Sequence, residues 1–173
     1  MTARPGPSPA ELDIVARQLG RPPRGVTAIA HYCPCGLPDV VQTQPRLPDG
    51  TPFPTLFYLT CPRARSAIGR LEAAGLMREM TARLATDEGL AARYIAAHED
   101  YLARRDAICS LGTTVTAGGM PRRVKCLHVL VAHSLAAGPG VNPFGDEALE
   151  LLADWGVDGP CVPTPIADGS DQT

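Results

Sequence analysis

Val124, Leu127, Val129, Leu130, Val131, Ala132 and Leu135 lie so close together that, at about 100° per residue, they cover nearly the whole circumference of a helix. A helix apolar on all sides must be enclosed by other elements, so this stretch predicts a central helix around which the rest of the chain packs. Pro121 suits a first helical position and Gly118-Gly119 before it offers a flexible entry, which predicts a start near Pro121. In that frame Arg122, Arg123 and Cys126 share a face, because Cys126 follows the two arginines by four and three residues. A thiol beside two guanidinium groups and Lys125, at the positive end of a helix, predicts an anion-binding site or a reactive thiolate. His133 shares the face of Cys126 but lies roughly 10 Å further along the axis, and His128 points about 160° away from His133. Both histidines read first as buried, hydrogen-bonded core residues and second as further candidate metal ligands.

Three β-like runs, at residues 26–32, 40–44 and 55–60, precede this helix, and the breaks between them are CPCGLP and PRLPDGTPFP. Short runs with turn-rich breaks predict an antiparallel meander. The end of its third strand returns to the level where the second began, which sets Cys61 beside the turn at residues 33–38. Pro62 and the helix-forming RARSAIGRLEAA follow Cys61, so it also lies near a helix start. Cys33, Cys35, Cys61 and Cys126 then stand at one turn and two helix starts. Four thiolates are the complement of a tetrahedral structural zinc site, the favoured expectation, or of an iron–sulfur cluster, the alternative. His31 is a further candidate ligand, since two residues apart on a strand it shares a face with Cys33. The competing reading makes these cysteines small buried apolar residues, and C-x-C is a weaker signal than C-x-x-C.

The remaining segments read as helices and tails. Ser8, Pro9 and Glu11 form a capping box, Leu12, Val15, Ala16 and Leu19 an apolar stripe, and Gly20 a terminator. Residues 63–111 predict two or three helices, broken at Gly75 and restarted at residues 86–89. The last presents Leu90, Tyr94, Ala97, Tyr101 and Ile108 inward, with Arg93, Glu99, Asp100, Arg104 and Arg105 outside. His98, Glu99 and Asp100 read as solvated face rather than an acid/base group, and Cys109 as packing. Asp146 is expected to cap a short helix ending near Trp155, and Asn142 and Asp146 are candidate pocket residues. The sum is an α+β domain, residues 8–157, with a small antiparallel three-stranded sheet and about five to six helices. A flexible tail, 1–7, and a disordered tail, 158–173, flank it, and Cys161 in the latter is given no role.

A net charge of -2 argues against general nucleic-acid binding. No apolar leader or membrane-length apolar run is present, so a cytoplasmic protein is expected, in which six cysteines serve as thiols or metal ligands rather than disulfides.

The blocks HYCPCGLPDVV, LTCP, GGMPRRVKCLHVLVAHSLA and GVNPFGD resemble those of a bacterial, mainly actinobacterial, family known as domain of unknown function 501. The resemblance spans about residues 15–155 and sets Cys33, Cys35, Cys61 and Cys126 within the hallmark blocks. It implies a coherent domain and no assigned activity. Two expectations follow. In the first, a metal held by the four cysteines makes the chain a binding or regulatory module for another protein. In the second, Cys126 with Arg122 and Arg123 holds a phosphorylated or carboxylated small ligand, as enzyme or binding protein. No Ser-His-Asp order, Walker loop or G-x-G-x-x-G is present to name a reaction.

Overall fold

The computed structural model describes residues 6–163, so the expectations for residues 1–5 and 164–173 lie outside the described residues. The elements in chain order are α1 (Pro9–Leu19), β1 (Val26–Tyr32), β2 (Pro38–Thr43), β3 (Phe57–Leu59), α2 (Pro62–Ala73), α3 (Leu76–Arg83), α4 (Glu88–Asp106), α5 (Leu127–Ala137) and α6 (Pro143–Leu151). The strands form one antiparallel sheet in the order β1-β2-β3, the meander that the turn-rich breaks predict.

Strand side chains alternate between two environments. Ile29, Val41 and Tyr58 meet Val15 and Leu19 of α1. Val40, Phe57 and Leu59 face the opposite way, into a larger core with Ile68, Tyr94, Tyr101, Leu130 and Phe144. The sheet is thus sandwiched between one helix and a layer of several. Each large apolar side chain fully buried there contributes roughly 1.5–3 kcal/mol, so the larger core carries most of the stability. At the start of α1 the Ser8 N–H donates to Glu11 Oε2 at 2.7 Å and the Glu11 N–H donates to Ser8 Oγ at 3.3 Å, closing the capping box.

The central helix is enclosed as its composition requires: every α5 residue from Val129 to Ser134 is buried. Its start, however, is Leu127 and not Pro121. Backbone donors that such a helix would need are engaged elsewhere: Arg123 N–H on Gly119 O at 3.3 Å, Val124 N–H on Thr81 Oγ1 at 2.9 Å, and Lys125 N–H on Gly118 O at 2.8 Å. Gly118-Gly119 is not a flexible entry. A Cβ on Gly118 would come within 2.9 Å of Leu130 Cδ2, and Gly119 holds a left-handed φ of 86°, so both glycines let a compact loop press against α5.

Two further elements depart from expectation. Helix α6 is capped by Asn142, whose side chain accepts from Gly145 N–H at 3.0 Å, while Asp146 instead accepts from Gly140 N–H at 2.7 Å. It ends at Leu151, short of Trp155. Arg105, expected outside α4, is fully buried. Its guanidinium donates to the carbonyls of Thr113 and Val115 and to Asp106, so the irregular loop after α4 satisfies a charge that the helix pattern assigns to solvent.

Candidate functional site

Strand register brings the first cysteines together. Val40 pairs with Leu59, and Thr60 N–H donates to Asp39 O at 2.8 Å, so Cys61 stands beside the turn that precedes β2. That turn is tied by Cys33 N–H to Leu37 O and Gly36 N–H to Cys33 O, both at 2.8 Å. Cys61 is the N-cap residue of α2 and is fully buried, and Cys33 is nearly so.

The fourth thiol of this cluster is Cys161, not Cys126. Residues up to Pro163, read from sequence as part of a disordered tail, are tied to the domain at several points. Arg63, in the first turn of α2, donates to Gly159 O at 2.9 Å and Pro160 O at 3.3 Å. From α1, Arg17 donates to Pro163 O at 3.3 Å, and Gln18 Nε2 donates to Cys161 Sγ at 3.3 Å and to Pro38 O at 2.6 Å. Cys161 thereby joins Cys33, Cys35 and Cys61, and Cys35 interacts with the thiols of both Cys33 and Cys161.

The thiols are electrostatically unequal. Burial pushes Cys33 up to about 12 and Cys161 likewise to about 12, with their thiol neighbours adding to the rise. Burial opposes ionisation of Cys35 as well, but the backbone at Leu37 and the thiols of Cys33 and Cys161 overcome it and lower its pKa. Of the three shifted thiols, Cys35 is thus the one whose ionisation the surroundings favour. Polar atoms without a protein partner flank the same place: Gln18 Oε1, Asp39 Oδ2 and Thr60 Oγ1 are buried and unsatisfied.

Cys126 sits elsewhere. As N-cap of α5 with extended φ -153° and ψ 111°, it turns its Sγ to 3.9 Å from His128 Nδ1. Glu72 of α2 completes the group: its Oε1 accepts from Leu127 N–H at 2.7 Å and lies 3.2 Å from His128 Nδ1. Glu72 is eleven residues past Cys61, about 16 Å along the α2 axis at 1.5 Å per residue, which separates Cys126 from the other thiols. The Cys126 thiol, and to a lesser degree Glu72, raises the pKa of His128 against the effect of burial. Among the described residues, Glu72, Cys126 and His128 are the one set of three ligand-type atoms within 4.8 Å of one another. No three of the four thiol sulfurs lie as close together as that.

The other expected site residues are accounted for separately. His31 Nδ1 is 2.8 Å from the buried carboxylate of Asp39, across the β1–β2 pair. His133 is fully buried, accepts from Asn142 Nδ2 at 3.2 Å through Nδ1 and donates to Asp100 Oδ2 at 2.8 Å through Nε2. It stacks on Phe57 and meets Tyr101 edge to face, as a core histidine does. Arg122, Arg123 and Lys125 precede α5 and line a hollow of about 550 Å³ with His98, Met120 and Thr116, whereas Cys126 lines a different groove. The expected pairing of Cys126 with Arg122 and Arg123 on one helix face is therefore replaced by two separate sites.

A chain with C-x-C in a sheet turn, Cys61 capping the next helix and a Cys-x-His start to its central helix matches, over residues 29–150, the family described as protein of unknown function (DUF501). The match covers well over half of the chain. The chain belongs to the DUF501 family. Neither a curated protein nor a solved structure matches it. Among the described residues, no helix of this DUF501 protein is long and apolar enough to cross a membrane.

Cys33, Cys35, Cys61, Glu72, Cys126 and His128 fall inside the DUF501 match, and Cys161 lies beyond it. Three residues escape a reading by local pattern. Cys161 has only a proline two residues on as a faint echo of the Cys-Pro steps at 33 and 61. Glu72 reads as an ordinary helix-surface acid. His98 is buried with an unpartnered Nδ1, and burial followed by the Arg105 charge lowers its pKa.

Proposed function

We propose that this protein is a metal-binding module in which Cys33, Cys35, Cys61 and Cys161 hold one zinc ion. The observation that supports this most is the convergence of four free thiols from a turn, a helix cap and a segment that follows the last helix. A single ion needs those thiols alone. An iron–sulfur cluster needs room for inorganic sulfide as well, and Cys33 is pressed by Gly156 and buried in the core. The ion would fasten α1, the sheet and α2 to the C-terminal segment, giving a rigid surface for a binding or regulatory partner. A reducing cytoplasm, which keeps thiols available, fits this reading.

The test is metal analysis and cobalt substitution on protein purified without oxygen or chelators. Cys61→Ser and Cys161→Ser are each expected to lose one ion per chain and the intense thiolate-to-cobalt absorption, while Cys109→Ser keeps both. Full metal retention in both cluster variants overturns the reading, and brown protein containing sulfide replaces zinc with an iron–sulfur cluster.

A second reading is favoured by His98, a residue with a buried, unpartnered Nδ1 that lines one hollow with Arg122, Arg123 and Lys125 through the rest of its side chain or backbone. That combination suits a small phosphorylated or carboxylated anion. Phosphate titration is expected to shift the His98 ring nitrogen resonances in the native protein and not in an Arg122→Ala, Arg123→Ala double variant. Unchanged native resonances overturn it.

A further inference from the structure

We infer that Glu72, Cys126 and His128 form a second metal site, separate from the thiol cluster and open on one side to a groove. A carboxylate oxygen, a thiol sulfur and an imidazole nitrogen lie within 4.8 Å of one another, and they come from two elements that pack together, α2 and the start of α5. A Cys-x-His pair is a poor chelate inside a regular helix. Here Cys126 precedes the helix in extended conformation, which lets its sulfur reach the same point as the His128 ring.

Hydrogen bonding fixes which nitrogen faces the ion. His128 Nε2 lies 3.1 Å from the carbonyl oxygen of Arg65, and a carbonyl only accepts, so Nε2 carries the hydrogen. The neutral ring then aims its Nδ1 lone pair at Cys126 Sγ and Glu72 Oε1. Three electron-pair donors converge on one point, where a cation balances them. An imidazole whose distal N–H is held by a backbone carbonyl is the usual outer arrangement of a ligating histidine. Glu72 is oriented in turn by the N–H of Leu127.

The same geometry disfavours a cysteine nucleophile relay. A relay needs the imidazole to bridge, with one nitrogen on the thiol and the other on the carboxylate. In this chain both groups sit at Nδ1 and Nε2 is spent on a carbonyl.

Sulfur, nitrogen and carboxylate oxygen as three protein ligands suit zinc with its fourth position left for an exchangeable group. Cys126 and His128 line a groove of about 400 Å³ whose walls include Phe57, Tyr58, Leu59 and Arg65. Apolar walls with one guanidinium select a molecule with an apolar body and a carboxylate, and the carboxylate, or water in its absence, completes the coordination.

Metal-free full-length protein titrated with zinc, and separately with cobalt, is the test. The wild type is expected to take two ions per chain. His128→Gln and Glu72→Gln should each take one and keep the intense thiolate-to-cobalt absorption of the cluster. Cys161→Ser should also take one, with the weaker absorption of a single thiolate, and benzoate should shift its cobalt bands. Unchanged ion uptake in both His128→Gln and Glu72→Gln overturns the inference. So does a Cys161→Ser protein that folds and binds no cobalt. A wild type that takes one ion, lost in His128→Gln but kept in Cys161→Ser, leaves this site standing and sinks the other proposal, so the two fail separately.

Discussion

Gly156 lies against Cys33 so closely that a Cβ at position 156 would come 2.9 Å from the cysteine sulfur and 2.8 Å from Pro34 Cβ. The C-terminal segment therefore reaches the first cysteine turn only because one residue lacks a side chain.

Gly156→Ala is expected to destabilise the protein by about 1–3 kcal/mol, since neither a proline ring nor a packed sulfur can swing aside. Urea unfolding measures the loss, and cobalt binding at the thiol cluster should weaken with it. Gly69→Ala is the contrast. Its site in α2 is open and helical, so a gain of about 0.5–1 kcal/mol is expected. Equal effects of the two substitutions would show that the contact at Gly156 is not tight.

At the crossing of α5 and α6 a Cβ on Gly145 would collide with the carbonyl oxygen of Leu130 and the hydroxyl of Ser134. Gly145→Ala should force the helices apart and cost about 3 kcal/mol or more, lowering the thermal midpoint by more than Gly156→Ala does. A variant with native stability would contradict the backbone-level contact.

Arg105→Met keeps much of the buried volume but strips the carbonyls of Thr113 and Val115 of their donors. A loss of about 3 kcal/mol is expected, together with faster hydrogen exchange in residues 107–117, because unpaired buried polar groups carry the larger share of the cost. Unchanged exchange in that loop would show that Arg105 does not hold it.

His133 carries a pH dependence. Burial holds its pKa below the ordinary value of 6.5, outweighing the Asp100 carboxylate on Nε2. The unfolded chain takes up the proton near that ordinary value and the native state only at lower pH. The stability carried by the neutral ring is thus complete above about pH 6.5 and declines as pH falls through the window below it. His98 has the same sign, its pKa lowered by burial and by Arg105. His128 opposes them: its pKa is raised, first by Cys126, so its contribution is full at low pH and fades as pH rises through its folded value. Urea midpoints of metal-free protein across this range should fall on acidification less steeply in His133→Gln than in wild type. Equal slopes would remove His133 from the account.

What the sequence disclosed was mostly local. Ser8 and Glu11 are three residues apart, and their reciprocal bonds follow from spacing alone. The meander followed from where prolines and glycines interrupt the β-like runs, and the apolar circumference of α5 announced its burial. The class, the sheet and the grouping of Cys33 with Cys35 and Cys61 were therefore readable.

The remainder depends on distant partners. Gly118 and Gly119 look like a hinge until Leu130 and Thr81 are seen to fix the loop they start, and the helix start shifts by six residues as a result. Cys161 is held by Gln18, 143 positions away, and its segment by Arg63, so no window of the chain reveals it. Glu72 meets Leu127 across 55 positions. Arg105 looks solvated because the carbonyls that receive it belong to a loop without periodicity.

The cluster also has a position in time. Cys161 is synthesised a hundred residues after Cys61, so a nascent chain exposes three of the four thiols well before the last emerges. The seam between α1, the turn, α2 and the C-terminal segment closes only once translation has passed Pro163, and a chain interrupted earlier keeps its sheet residues and core helix sequence but lacks the residue that completes the ring. Completion of the thiol cluster is in that sense a record that translation has passed the segment that follows the last helix.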